Sequence, residues 1–336
     1  MLQYVIDTLV NGRNLSEQQI TEAMEIIMNG EATPAQIGAF ITALRIKGET
    51  IEEITGCAKV MRNKAERIQP RVNYYIDTCG TGGDGSHTFN ISTAAAFVAA
   101  AGGVTVAKHG NRSISSKSGS ADVLEALGVN IGLSPVQVQE CIEKVGLGFM
   151  FAPSFHKSMK YAAGPRKELG IRTIFNVLGP LTNPACAKGQ ILGVYDSQLL
   201  YPIASVLQNL GVERAMVVHG EDGLDEISLT DQTMVCELKD NIIDEYKINP
   251  LDYGLNLCSP QQLNGGNAQE NAGIILNVFD NHKGFQKDVV ILNSAAALYI
   301  GKKAETMHEG IHISKEIIES GKAMSKLREL IDFTNH

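Results

Sequence analysis

The run Gly80-Thr81-Gly82-Gly83-Asp84-Gly85 holds four glycines in six residues. Glycine lets a backbone turn tightly, take positive φ and approach a ligand closely. Such a turn points successive N–H groups into one concavity, which suits an anion. The run fits neither the dinucleotide fingerprint nor the P-loop lysine pattern. Alone it supports an anion of unspecified kind, since most glycine pairs in loops are plain turns. Asn90-Ile91-Ser92-Thr93 follows, with small polar side chains ahead of the apolar run Ala94–Ala101. Ser92 or Thr93 would cap a helix there. The same helix start would receive a phosphate and offer a hydroxyl to a metal.

A second cluster is Lys108-His109-Gly110-Asn111-Arg112-Ser113-Ile114-Ser115-Ser116, with Lys117-Ser118-Gly119-Ser120 leading into another helix start. It concentrates cations, amide and hydroxyls after the strand-like Val104-Thr105-Val106. In open α/β sheets the carboxyl ends of strands are where ligands bind. Solvated basic loops are common, but this donor density fits a 5-phosphate plus a diphosphate. A third element is the adjacent pair Asp225-Glu226 after the strand-like Ala215–Val218. Acidic pairs on turns mostly face solvent, yet carboxylates at a strand end suit a hard divalent cation. Glu221 and Asp222 read as plain surface charge. The fourth element is Arg166, able to hold a carboxylate bidentately, though a lone arginine is more often a surface ion pair.

The elements that must position these groups fall into two regimes. Up to about residue 70 the chain reads as helices. Ser16 with Gln19, Thr33-Pro34 and Thr50 with Glu53 are start signals, and Gly30 is a stop. So small a helical block buries little alone, and its leftover apolar surface must pack on the rest of the chain or on another subunit. From Val72 onward strand-like and helix-like segments alternate: Tyr74–Ile76, Val104–Val106, Leu147–Phe151, Ile191–Tyr195, Ala215–Val218 and Met234–Leu238 read as strands. That alternation implies an α/β fold, a mostly parallel central sheet covered by helices on both faces. We therefore expect a small helical domain over 1–70, rejoined by about 158–185 as part of a hinge, and a large α/β domain over 71–336.

Composition limits the partners. The net charge of −8 disfavours attraction to nucleic acid or anionic membrane, so any anion must be held locally. No signal peptide or membrane span is evident. The six cysteines are scattered without paired spacing, against disulfides or a zinc site. A cytoplasmic enzyme is the expectation.

Taken together, Asp77 through Gly85, Asn90 through Thr93, Lys108 through Gly119, Gly170-Ile171-Arg172-Thr173-Ile174-Phe175-Asn176, Gly179-Pro180-Leu181-Thr182-Asn183-Pro184 and Asp225-Glu226 closely resemble the anthranilate phosphoribosyltransferases. These belong to the nucleoside phosphorylase-like phosphoribosyltransferases, and the likeness covers nearly the whole chain. It implies transfer of a 5-phosphoribosyl group from phosphoribosyl pyrophosphate to anthranilate in tryptophan biosynthesis. By the same resemblance Gly80, Gly83, Asp84, Thr88, Asn90, Ile91, Ser92, Thr93, the Lys108–Ser116 segment and Ser120 would bind phosphoribosyl pyrophosphate. Ser92 and Glu226 would hold one Mg2+, and Asp225 and Glu226 a second. Gly80, Asn111 and Arg166 would contact anthranilate, with His109 and Pro180 lining that pocket. Lys108, Arg166 and Glu226 would carry catalysis, and the enzyme would be a homodimer through its helical domain. Two rivals share such a fold. A pyrimidine nucleoside phosphorylase would use free phosphate and have no need of the acidic pair. A nucleic-acid-binding paralogue is disfavoured by the negative charge and by that pair.

Overall fold

A computed structural model describes residues 1–113 and 117–336. The chain opens with four helices, α1 (Leu2–Val10), α2 (Glu17–Asn29), α3 (Pro34–Lys47) and α4 (Ile51–Lys64). Three of them start at capping boxes, Ser16 with Gln19, Thr33 with Gln36 and Thr50 with Glu53, each satisfying two orphan amides reciprocally. Helix α2 ends at Gly30 in the left-handed region.

Strands and helices then alternate through β1 (Ile76–Gly80), α5 (Ile91–Ala101), β2 (Val106–Gly110), α6 (Ser120–Ala126), α7 (Pro135–Val145), β3 (Leu147–Phe151), α8 (Ala152–Phe155), α9 (Lys160–Leu169) and α10 (Ile174–Leu181). They continue through β4 (Gly189–Gly193), α11 (Leu200–Asn209), β5 (Arg214–Gly220), β6 (Thr233–Lys239), β7 (Ile242–Ile248) and the closing helices α12 (Ala268–Phe279), α13 (Phe285–Ile300), α14 (Met307–Glu319) and α15 (Lys322–Asn335). The single sheet has the order β3-β2-β1-β4-β5-β6-β7. Its first five strands by position are parallel, and β6 and β7 are antiparallel additions.

Alternate residues of the strands feed two cores, as the two-residue period requires. Ile191, Met216, Val218 and Val235 face one core with α5, α13, α14 and α15. Leu192, Val217, Cys236 and Leu238 face the other, shared with α1–α4, α10 and α11. The N-terminal helices thus bury their apolar faces against each other and against α9, α10 and α11, and α11 in turn lies on β5 and β6. No helix among the described residues is long and apolar enough to cross a membrane.

The sheet order explains where the chemistry sits. After β1 the chain builds outward through β2 and β3, then returns to lay β4 on the other flank of β1. The crevice at the carboxyl ends of β1 and β4 is therefore a topological switch point, where open α/β sheets bind ligands.

Candidate active site

Gly80 and Gly193 close the paired ends of β1 and β4, and the Thr81 amide donates to the Gly193 carbonyl at 2.9 Å. Gly82, Gly83 and Gly85 all have positive φ, at 68°, 76° and 77°. The Gly82 amide donates to Asp225 Oδ2 at 2.6 Å. Two glycines are required by close approach rather than by dihedral angle. A β-carbon on Gly80 would lie 2.3 Å from Asp225 Oδ2, and one on Gly193 only 1.6 Å from the Asp225 carbonyl oxygen. The glycine loop and the Asp225-Glu226 turn are nested in van der Waals contact.

Helix α5 begins one turn earlier than the sequence suggested. Asn90 occupies its cap position without a side-chain cap bond, so Ser92 and Thr93 lie inside the first turn and cap nothing. The Ser92 amide donates to Glu226 Oε1 at 3.1 Å. Asn90 is anchored by Asn271, whose Nδ2 donates to Asn90 Oδ1 at 2.9 Å, and itself donates to the Ser118 carbonyl at 3.3 Å. Thr88 pairs with Asn264 in an isolated bridge.

Lys108, His109 and Gly110 are in strand β2, not in the loop after it. They pair with Phe149, Met150 and Phe151 of β3, which buries Lys108 and His109. The Lys108 ammonium donates to the Thr78 carbonyl, and Thr78 Oγ1 donates to the Ser92 carbonyl at 3.1 Å. A relay of polar groups thus runs from Lys108 on β2, across β1, to the head of α5 and on to Glu226. Beside it Asp77 accepts from the His109 amide at 3.2 Å and from Asn183 Nδ2 at 2.7 Å. Burial pushes the Asp77 carboxyl up to about 6, against the pull of Lys108.

Three carboxyls converge around this relay. Burial, then the charges of Asp84 and Glu226, hold the Asp225 carboxyl well above the usual carboxylate range. Burial raises Glu226 to about 7, with Lys108 opposing. A cluster of acids that repel one another on ionising, beside a hydroxyl and one buried ammonium, is an oxygen donor set for a hard dication. Among the described residues the acids do not close into a metal cage by themselves. Mg2+ ordinarily takes few carboxylates and completes its shell with phosphate oxygens and water, so the set fits that ion.

The segment after β2 is held by Asp122, which accepts from the amides of Gly119 at 2.9 Å and Ser113 at 3.1 Å. Arg112 does not point to the crevice. Its guanidinium pairs with Asp122 at 2.8 Å and with Glu125 at 2.5 Å, because helix α6 presents both acids to it. Asn111 is exposed, and Ser120 donates to its carbonyl at 3.4 Å. A β-carbon at Gly110 would meet Ser120 Oγ at 2.2 Å. Ile114, Ser115 and Ser116 lie outside the described residues.

Arg166 extends from α9 and lies over the Phe175 ring of α10 at 4.9 Å. Among the described residues no carboxylate comes within ion-pair distance of it, and burial lowers its pKa. A half-buried cation without a carboxylate partner is able to receive an anion. On the neighbouring wall the His109 and His156 rings stand 5.0 Å apart, each with Nε2 buried and unbonded. Burial depresses their pKa values to about 3 and about 4, with His156 adding to the effect on His109. Both are neutral at physiological pH. The Pro180 carbonyl accepts from Gln190 Nε2 at 2.7 Å, which fixes the end of α10 against β4.

Known proteins give this geometry a family. Residues 3–65 match the helical bundle domain, and residues 73–324 the a/b domain, of a glycosyl transferase family. The chain is 68% identical to the anthranilate phosphoribosyltransferase of Acetivibrio thermocellus over 100% of its own length and 97% of that protein. It is 56% identical to that of Clostridium kluyveri, covering 100% of both chains. The chain belongs to the anthranilate phosphoribosyltransferase family. The crystal structure of the Thermus thermophilus anthranilate phosphoribosyltransferase superposes with a TM-score of 0.94 at 40% identity, covering 99% of each chain. The anthranilate phosphoribosyltransferase from Saccharomyces cerevisiae in complex with PRPP and Mg superposes with a TM-score of 0.91 at 28% identity, covering 99% of this chain and 98% of that one.

Within this anthranilate phosphoribosyltransferase fold the crevice brings together Gly80, Gly83, Asp84, Ser92, Lys108, Asp225 and Glu226. Arg166 stands on α9 over Phe175, His109 on β2 beside Gly179 of α10, and Arg112 is engaged elsewhere. Two residues of the site carried no individual expectation. His156 gave no signal beyond being a lone histidine before α9. Arg172 was visible within Gly170–Asn176, but its contact with the glycine loop was not: its guanidinium donates to the Gly83 carbonyl.

Proposed function

We propose that this protein transfers the 5-phosphoribosyl group of phosphoribosyl pyrophosphate to the amine of anthranilate. The products are N-(5-phosphoribosyl)anthranilate and diphosphate, a step of tryptophan biosynthesis. The observation that carries the reading is the convergence, at one switch point, of a positive-φ glycine loop, the head of α5, buried Lys108 and the Asp225-Glu226 pair. That set suits a metal-complexed diphosphate. The full-length similarity to anthranilate phosphoribosyltransferases supplies the acceptor.

The chemistry asks for position and electrostatics. The leaving group departs as a multiply charged anion while the ribose gains oxocarbenium character. Glycine-loop amides and the positive N-terminal end of α5 receive phosphate oxygens. Lys108 contributes the buried positive charge that opposes the developing diphosphate. Ser92, Asp84, Asp225 and Glu226 are the groups that would hold magnesium, two ions per subunit in our reading. Held by these groups, magnesium would supply charge neutralisation for the leaving diphosphate. Arg166 receives the anthranilate carboxylate, so that the amine faces the reacting carbon. Asn111 and Gly80 complete that contact, and neutral His109 and Pro180 line it. No nucleophile is required: the Cys79 thiol is held protonated by burial, and the aromatic amine is neutral before attack.

Residues 1–70 with about 158–185 are read as the small domain and 71–336 as the large one. Tyr4, Val10 and Ile46 leave large apolar side chains exposed on α1 and α3, at 59%, 70% and 82%. The helical domain that carries these side chains is our candidate for a homodimer surface. All six cysteines are free, as a reducing cytoplasm would keep them.

The deciding measurement is loss of anthranilate fluorescence on mixing the protein with phosphoribosyl pyrophosphate and Mg2+. Consumption that stops when Mg2+ is withheld is expected. No consumption, with phosphorolysis of a pyrimidine nucleoside instead, would replace this reading by the phosphorylase.

A further inference from the structure

Arg172 sits in the short connection between α9, which carries Arg166, and α10, which packs on the N-terminal helices α3 and α4. Its exposed side chain reaches across to the sheet. The guanidinium stacks on the Tyr195 ring at 4.2 Å and donates to the Gly83 carbonyl. The Tyr195 amide in turn donates to Thr81 Oγ1 at 3.2 Å. A β-carbon on Gly83 would lie 3.5 Å from Arg172 Nη2, an ordinary contact distance, so it is the positive φ of 76° that calls for glycine there. No carboxylate pairs with Arg172 among the described residues.

We infer that Arg172 is a positioning residue. It holds the glycine loop in its anion-receiving shape, and it ties that shape to the segment bearing Arg166. Asp225 fastens the loop through the Gly82 amide, and the end of β4 fastens it through Gly193 and Tyr195, which both engage Thr81. Arg172 adds a tie from the α9–α10 link, through the Gly83 carbonyl and the Tyr195 ring. In a trans peptide the N–H points away from the C=O, so a Gly83 carbonyl drawn to Arg172 turns the Asp84 N–H the other way, available to a diphosphate. Because Arg172 shares a four-residue link with both α9 and α10, any shift of those helices is felt at the loop. The inference rests on the phosphoribosyl-transfer reading for its purpose, but its physical content is narrower: the loop binds diphosphate less well without Arg172.

The charged hydrogen bond and the ring stack together correspond to roughly tenfold in an equilibrium that needs the ordered loop. The test is calorimetric binding of magnesium diphosphate to the full-length protein and to Arg172→Ala, Arg172→Lys and Tyr195→Leu, alongside thermal melts. Arg172→Ala is expected to bind about tenfold more weakly with an unchanged melting temperature. Arg172→Lys should recover part of the loss, since a lysine keeps the charge but not the planar fork. Tyr195→Leu should lose less than Arg172→Ala. Equal affinity in Arg172→Ala and the parent protein overturns the inference. So does a lowered melting temperature with undiminished affinity, which would mark a purely structural contact, and so does a parent protein that binds no diphosphate. If the parent binds diphosphate, the variant binds it weakly, and neither transfers phosphoribosyl groups, the transferase reading fails while this one stands.

Discussion

The Gly82 amide donates to Asp225 Oδ2 at 2.6 Å, so the acidic turn after β5 shapes the glycine loop after β1. Asp225 therefore has two separable duties: accepting that N–H and contributing charge for a cation. Asparagine keeps an acceptor and loses the charge, whereas alanine loses both.

Asp225→Asn combined with Glu226→Gln should weaken the dependence on magnesium and slow turnover by about a hundredfold, the scale of removing a preorganised charge contact. Turnover measured across magnesium concentrations checks this. Curves identical to the parent's would remove the pair from the metal site. Asp225→Ala alone should also weaken diphosphate binding, because it frees Gly82.

Arg166→Ala should raise the KM for anthranilate roughly ten- to a hundredfold, as loss of a charge-assisted carboxylate contact does. Binding of magnesium diphosphate should be unaffected. Steady-state kinetics with anthranilate varied, set beside calorimetry, separates the two. An unchanged KM would mean that the guanidinium serves only its stack on Phe175.

Two anions held on facing walls call for closure. Doubly liganded crystals should bring Arg166 nearer to Gly80 than apo crystals do. Equal separations in the two states would show that the crevice is already set.

The histidine pair makes a pH prediction of definite sign. Free histidine titrates near 6.5, and His109 and His156 are depressed to about 3 and about 4. Below pH 6.5 the unfolded chain binds protons that the folded chain refuses, so these residues remove stability as pH falls toward 4. Above 6.5 neither state carries the charge and their effect vanishes. His156→Gln should melt with a shallower acid dependence than the parent between pH 6.5 and 4.5. Imidazole nitrogen shifts should show both rings neutral down to pH 5, and a midpoint above 5.5 for either would contradict the burial described.

Local chemistry made much of this legible before the fold. Capping boxes and Gly30 delimit α2–α4, because those signals act within one helical turn. The α/β class followed from the alternation of strand-like and helix-like runs. Pairing partners were not legible. Lys108-His109-Gly110 reads as a polar loop, yet β3 pairs with it and buries it. Ile242–Ile248 runs Ile-Ile-Asp-Glu-Tyr-Lys-Ile, without the strict alternation that marks a half-buried strand, and gave no strand expectation, since its character comes from being the sheet's outer edge beside β6. Arg112 looked available because nothing in a linear reading shows that Asp122 and Glu125 will face it from α6. The close approach of Arg172 to Gly83 spans most of the domain's early topology and has no local signature.

The nesting of Asp225 between Gly80 and Gly193 has a practical corollary for anyone wishing to retarget the acceptor. Randomising either glycine would drive a side chain into the acidic turn itself, at 2.3 Å and 1.6 Å, so such libraries should come out mostly inactive whatever substrate is screened. Diversity is better introduced at side chains beside the carboxylate receptor, such as Phe175 under the Arg166 guanidinium, with Arg172 kept so that its tie to the glycine loop is preserved.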